Sequence, residues 1–211
     1  KRIDATRGQV TVEDAHGAPP TVPFWRGEAP ERTAELSQSI SRLRETVIAQ
    51  LGSGGDEERE QVREWLINHC HVTTFAATQI INYLLEGHTL LGAVPTHECI
   101  IAERFFDESG GMQLVIHTPF GARLNKAWGL ALRKCFCRSF NVELQASATD
   151  NGINIALTEQ HSFPLADVFN FVSDATAKEI VTQAFLQSPL FPPRWRWDAC
   201  RALYLLRFQG G

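Results

Sequence analysis

The side chains best suited to chemistry in this chain are aromatic and basic, and they stand next to one another. Trp25 is followed by Arg26 in a segment with no periodic pattern, and Arg194, Trp195, Arg196 and Trp197 alternate in a single run. Rings that stack on unpaired bases, beside cations that hold phosphates, are the working parts of a single-strand platform. A third group, Arg123, Lys126, Arg133, Lys134 and Arg138, falls within residues 121–141, which contain no acidic residue. Five cations without a counter-charge suit phosphate contact better than a merely solvated face does. Trp25 is therefore the expected stacking residue, with Arg26, Lys126, Arg133 and Lys134 expected on phosphates and Trp197 as a further aromatic contact. Trp195 shares helical spacing with Ala199 and Ala202 and is expected in the core, as is Trp128.

Other chemistries fit less well. Asp107 and Glu108 are adjacent acids in a turn, where side chains project differently, and general acid–base work needs two convergent groups. His69-Cys70-His71 and Cys135-Phe136-Cys137 lack the two-residue spacer common in structural zinc sites and read as small apolar thiols on helix faces. The sequence holds no GxxxxGK[ST] phosphate loop, GxSxG elbow, HExxH helix or GxGxxG turn. No catalytic residue, metal site or cofactor is expected in these residues.

Composition narrows the class. The chain has 211 residues, 44% of them hydrophobic, and a net charge of −4, so contact with nucleic acid must come from local patches. No apolar run approaches the roughly 20 residues of a membrane span. The five cysteines are an odd, irregularly spaced set, which points to reduced thiols in the cytoplasm. The opening KRIDATRGQ has neither an apolar signal core nor an initiator methionine, so a fragment of a longer intracellular protein is expected.

The elements that would position these residues follow from periodicity. Residues 1–14 read as a short hairpin whose further strands are expected upstream, and a Gly/Pro-rich linker leads to Trp25; residues 1–27 are thus part of a β module and linker. Residues 28–93 read as helical. A first helix runs from 31 or 33 to 51 on the stripe Leu36, Ile40, Leu43, Val47 and Leu51, a second over 56–68, and a third from 73 or 74 to Gly87. The close second and third helices suggest a helix-turn-helix, but residues 74–86 have no lysine or arginine, which favours a packing pair. Residues 94–160 read as hairpin, basic helix, hairpin. The helix carries Leu124, Trp128, Ala131, Leu132 and Cys135 at helical spacing, and the Asp150-Asn151-Gly152 turn joins the second pair of strands. Residues 161–211 read as further helices, the last covering 194–208. The fold class expected is α+β: antiparallel hairpins, barrel-like or in a four-stranded sheet, packed with a helical bundle.

Four segments carry a family likeness. PPTVPFWRGEAPERTAEL, the long run VPTHECIIAERFFDESGGMQLVIHTPFGARLNKAWGLALRKCFCRSFNVELQASATDNGI, then QHSFPLADVF and RWRWDACRALYLLRFQGG together resemble the DEAD/H-associated region of the large helicase-related (Lhr) family. That family comprises ATP-dependent superfamily 2 helicases of bacteria and archaea that move 3′ to 5′ on single-stranded DNA and are linked to DNA repair. The resemblance implies a β-barrel-like module followed by a helical part, preceded in the parent by two RecA-like motor domains and a winged helix. It implies that ATP and Mg2+ belong to the motors, that Trp25 in its PFWxG segment is the base-stacking residue, and that the partners are single-stranded DNA or an RNA:DNA hybrid. Lys126 and Cys135 depart from the arginine expected at those positions, which weakens any case for Cys135 as a ligand. Two other roles remain open: a cryptic hydrolase or base-excision activity at Asp107 and Glu108, and a purely structural module docked on the motor domains.

Overall fold

The structure is a computed structural model that describes residues 2–4, 7–12, 14, 30–52, 54–108, 110–140, 144–157 and 163–206. Strands β1 (Arg2–Asp4) and β2 (Gln9–Thr11) pair antiparallel, as the alternation there predicts. Helix α1 (Ala34–Leu51) starts where the Thr33 hydroxyl accepts a hydrogen bond from the Leu36 amide at 3.2 Å; α2 spans Asp56–Cys70 and α3 spans Thr74–Leu91. These helices close over a core of Val47, Leu51, Val62, Leu66, Ala77, Ile81 and Leu84.

Two details of the helical unit differ from expectation. Leu36 is exposed, and Ser37 and Ser41 are buried in its place. The first turn of α1 lies against the chain just ahead of a later helix, where a Cβ on Gly121 would come within 3.1 Å of Ser37 Oγ. A leucine does not fit so close to backbone. Helix α3, for its part, continues through Gly87 to Leu91 and is closed by Gly92, which sits in the left-handed region at φ 76°. Burial of Ile81 and Leu84 outweighs the roughly 1 kcal/mol that an interior glycine costs a helix.

The second half is built on β3 (Ile101–Phe106), β4 (Met112–His117), β5 (Leu144–Thr149) and β6 (Gly152–Leu157), all antiparallel in the order β3-β4-β6-β5. Among the described residues β3 and β5 remain edges. The sheet is therefore an open four-stranded one, and the barrel-like alternative is not what these strands form. Helix α4 (Ala122–Phe140) packs on β5 and β6. Alternation on β4 turns Met112, Leu114 and Ile116 inward to meet Ile153, Ile155 and Leu157 of β6 and Leu132 and Phe136 of α4. The Phe136 ring sits edge-on to Phe163 at 5.4 Å and Phe171 at 4.9 Å between centroids, a favourable arrangement for aromatic quadrupoles.

A short 3-10 helix (Leu165–Asn170), α5 (Asp174–Leu186) and α6 (Phe191–Arg201) complete the chain, with α5 packed on α4. Pro192 and Pro193 occupy the first turn of α6, where their missing amides cost nothing. The last helix stops at Arg201 instead of running on to 208. Leu203 takes a left-handed φ of 59°, and the Tyr204 amide donates back to the Ala199 carbonyl at 2.8 Å. No described residue of α6 is buried, so Trp195, expected in the core, is instead 51% exposed. No helix among the described residues is long and apolar enough to cross a membrane.

Candidate functional site

The basic helix is set in place by its first turn. Gly121 adopts φ 95°, a conformation that suits glycine, and the chain enters α4 at Ala122. The Asp150 carboxylate, in the turn between β5 and β6, accepts the Ala122 amide at 2.8 Å and the Arg32 amide at 3.2 Å. It meets the positive end of the helix dipole. The Arg32 guanidinium donates to the Asp150 carbonyl at 2.6 Å and to Asn151 Oδ1 at 2.8 Å, tying the start of α1 to the same turn.

One turn further, Asn125 is fully buried. Its Nδ2 donates to the Thr118 carbonyl at 2.7 Å and the Thr149 carbonyl at 2.9 Å, and its Oδ1 accepts from the Thr118 hydroxyl at 2.9 Å. Every polar atom of the amide is thus used, as burial requires. Gly129 continues this face: a Cβ there would stand 3.2 Å from Ile153 Cγ2, so glycine lets the helix approach β6. The buried face of α4 accordingly runs through Asn125, Gly129, Leu132 and Phe136. Leu124, counted with the apolar stripe in the sequence, is half exposed, while Ala131 and Leu132 keep their expected places and Trp128 packs at the edge of the core. Much of the PFGxRxNxAWG signature is therefore explained by helix placement.

The cations occupy the other side of the helix. Arg123, Arg133 and Arg138 are exposed. Lys126 forms an ion pair with Glu31, and Lys134 donates from Nζ to Gln187 Oε1 at 3.1 Å, just after α5. Arg133 thus faces solvent, whereas Lys126 and Lys134 already have partners within the chain. Trp25 and Arg26 lie outside the described residues. Trp197 is 50% exposed on α6.

A cleft of about 690 Å³ opens between α4, α5 and α6. Ala127, Leu130, Val181 and Phe185 contribute apolar surface; Arg123, Lys126 and Arg194 bring cations, Glu31 and Asp198 acids, and Trp195 an exposed ring. Phe191, Arg194, Trp195 and Asp198 follow a spacing of three, one and three, so one face of α6 supplies them all. Trp197 is two residues from Trp195, roughly 200° around the helix, and is not among the residues lining the cleft. The structure thus brings Lys126 together with Arg123, Arg194 and Trp195, and leaves Trp197 apart. The sequence signal for this helix is Pro192-Pro193, which marks its start.

Two further groups are accounted for. The Asp107 carboxylate accepts the Gly111 amide at 2.9 Å and the Gln113 side chain at 2.9 Å, which clamps the β3–β4 turn. Glu108 is exposed beside it, and neither lines the cleft. Burial pushes the Cys135 thiol up, against the opposing pull of Arg138 and Lys134, and its Sγ donates to the Phe171 carbonyl at 3.3 Å. It is a packed thiol.

Charge is divided sharply between elements. α4 and α6 together carry eight lysines and arginines and one acid, whereas α1, α2 and α3 carry four arginines and eight acids.

Comparison with known proteins gives a consistent result. The sequence model of the DEAD/H associated family matches residues 94–211. The chain is 32% identical over 212 residues to the Lhr helicase/probable uracil glycosylase of Mycolicibacterium smegmatis, an alignment covering 99% of this chain and 13% of that protein. It is 27% identical over 207 residues to the ATP-dependent helicase Lhr-Core of Methanothermobacter thermautotrophicus, covering 98% of this chain and 23% of that one. Among solved structures, that of Mycobacterium smegmatis helicase Lhr bound to ssDNA and AMP-PNP superposes with a TM-score of 0.72 at 29% identity, over 90% of this chain and 23% of that chain. The chain thus spans less than a quarter of each of these proteins.

Proposed function

Because this chain belongs to the DEAD/H associated family, as found in Lhr-type helicases, we propose that it is a non-catalytic accessory domain that helps such a helicase hold the single DNA strand along which it moves. One observation carries this reading: an acidic chain places eight cations and one acid on two helices that border a common cleft. A related helicase solved with ssDNA bound supports the choice of ligand. In this role Trp25 stacks on a base, and Arg26, Arg133 and Arg123 contact phosphates. Lys126 and Lys134 add charge once a strand competes with Glu31 and Gln187 for them, and Trp197 is an outlying contact. ATP and Mg2+ are assigned to the RecA-like motors of the parent polypeptide, which with the winged helix are the proposed protein partners, and DNA repair is the proposed setting.

Fluorescence anisotropy of a labelled single-stranded oligonucleotide at low salt tests this. Binding should weaken steeply with added salt, and Trp25→Ala should weaken it about tenfold, the order expected for one lost base stack. Unchanged affinity in Trp25→Ala would remove that residue from the account. No binding by the wild-type chain, with association to the motor domains retained, would favour a purely structural module. The base-excision alternative at Asp107 would need cleavage activity that is lost in Asp107→Asn.

A further inference from the structure

We propose that α3 is a dimerisation helix, whose outer stripe Phe75, Gln79, Tyr83, Glu86 and Leu90 pairs antiparallel with the same stripe of a second copy of the chain. The pairing goes beyond the strand-binding role and does not depend on it. Phe75, Tyr83 and Leu90 are 75%, 66% and 76% exposed. At about 100° per residue the five positions fall within about 80° of arc, along about 22 Å of helix. Ala77, Ile81 and Leu84, on the opposite side, already fill the core shared with α1 and α2. α3 therefore carries large apolar side chains on two sides, the pattern of a helix that is covered on both.

Spacing and charge select the occupant. When two copies of one helix pack antiparallel about a twofold axis, facing residues have numbers of constant sum, and each contact occurs twice. With the axis between Asn82 and Tyr83, Phe75 faces Leu90 of the second copy, Gln79 faces its Glu86, and the two Tyr83 rings meet near the centre. The one acid of α3 thus meets an amide that donates to it, not a second carboxylate. Nucleic acid is disfavoured on this face: α3 has no lysine or arginine, and α2 beside it carries five acids and two arginines. Those acids rim the seam rather than enter it, because α2 packs on the buried side of α3 through Val62 and Leu66. A single helix pair lies near or below the roughly 1,200 Å² at which specific interfaces begin, so a dissociation constant on the order of 10 μM is expected. The cleft between α4 and α6 stays open in such a dimer, since no residue of the stripe lines it.

Sedimentation equilibrium of the full chain over about 1 to 200 μM brackets that constant and tests the pairing. Wild type should pass from monomer to dimer as concentration rises. Phe75→Ser and Leu90→Ser should each weaken the dimer about tenfold with the denaturation midpoint unchanged, because both side chains are exposed. Phe106→Ser, at an exposed apolar position on β3, should match wild type. Charge tests the register: Gln79→Glu should weaken the dimer several-fold by facing Glu86, and Gln79→Glu combined with Glu86→Lys should recover it. Added salt should tighten the dimer by screening the acidic rims, the reverse of its effect on strand binding. A wild-type chain that stays monomeric throughout, wild-type dimerisation in both serine variants of the stripe, or an equal loss in Phe106→Ser overturns the pairing. So does dissociation of the dimer by a single-stranded oligonucleotide, which would give the face to nucleic acid. A monomeric chain in which Phe75→Ser instead weakens association with the motor domains gives the stripe to the parent polypeptide and likewise overturns it.

Discussion

Helices α1 to α3 enclose Val47, Leu66 and Ile81 and carry eight acids with four cations, whereas α4 and α6 border a cleft beside a second core around Leu114, Ile155 and Phe136 and carry eight cations with one acid. Both regions bury apolar side chains by the same physics, so hydrophobic pattern alone does not tell them apart. What separates them is the surface each presents once its core is satisfied. α4 is the clearest instance: Asn125, Gly129 and Phe136 face the sheet, and the opposite side carries the charge. The buried face sets where the helix lies, and the outer face is left to carry the cations.

The contrast can be broken most severely from the inside. Phe136→Ala removes a fully buried ring and should cost about 4 kcal/mol in chemical denaturation, and Asn125→Ala, which strands the Thr118 and Thr149 carbonyls, about 2–3 kcal/mol. Loss of stability below about 1 kcal/mol in both would mean that α4 is not anchored as described. Charge reversal comes next. Arg123→Glu with Arg133→Glu should weaken single-strand binding at least tenfold at low salt, while Arg59→Gln with Arg63→Gln on α2 should change it by no more than about twofold. Equal losses would erase the distinction between the two surfaces. The smallest effect concerns Cys135. Because burial raises its pKa, less thiolate is present near pH 8, and iodoacetamide should modify it several-fold more slowly in the folded than in the unfolded chain. The difference should shrink as pH rises through the elevated pKa. Equal rates near pH 8 would place the thiol in solvent.

Much of the sheet unit is legible in the sequence, because alternation in β4 and β6 and the Asp150-Asn151-Gly152 turn are local signals. The phase of α4 is less so. Two of its buried positions are Asn125 and Gly129, which no apolar count selects, and their reasons lie in Thr118, Thr149 and Ile153. Ser37 and Ser41 on α1 escape notice for the same cause. At the candidate site, a run of cations is visible by inspection, but the partner of Lys126 is Glu31, 95 residues away. The spacing of Trp195, Ala199 and Ala202 predicts a place in the core, but it runs past the end of α6 at Arg201, and no described residue of that helix is buried.

The division between the two surfaces is tested most directly by amide hydrogen exchange of the chain with and without a saturating single-stranded oligonucleotide. Binding should slow exchange in α4 and α6 and leave α2 and α3 unchanged. Protection confined to α2 and α3, with none in α4 or α6, would contradict the assignment of the strand to the basic face.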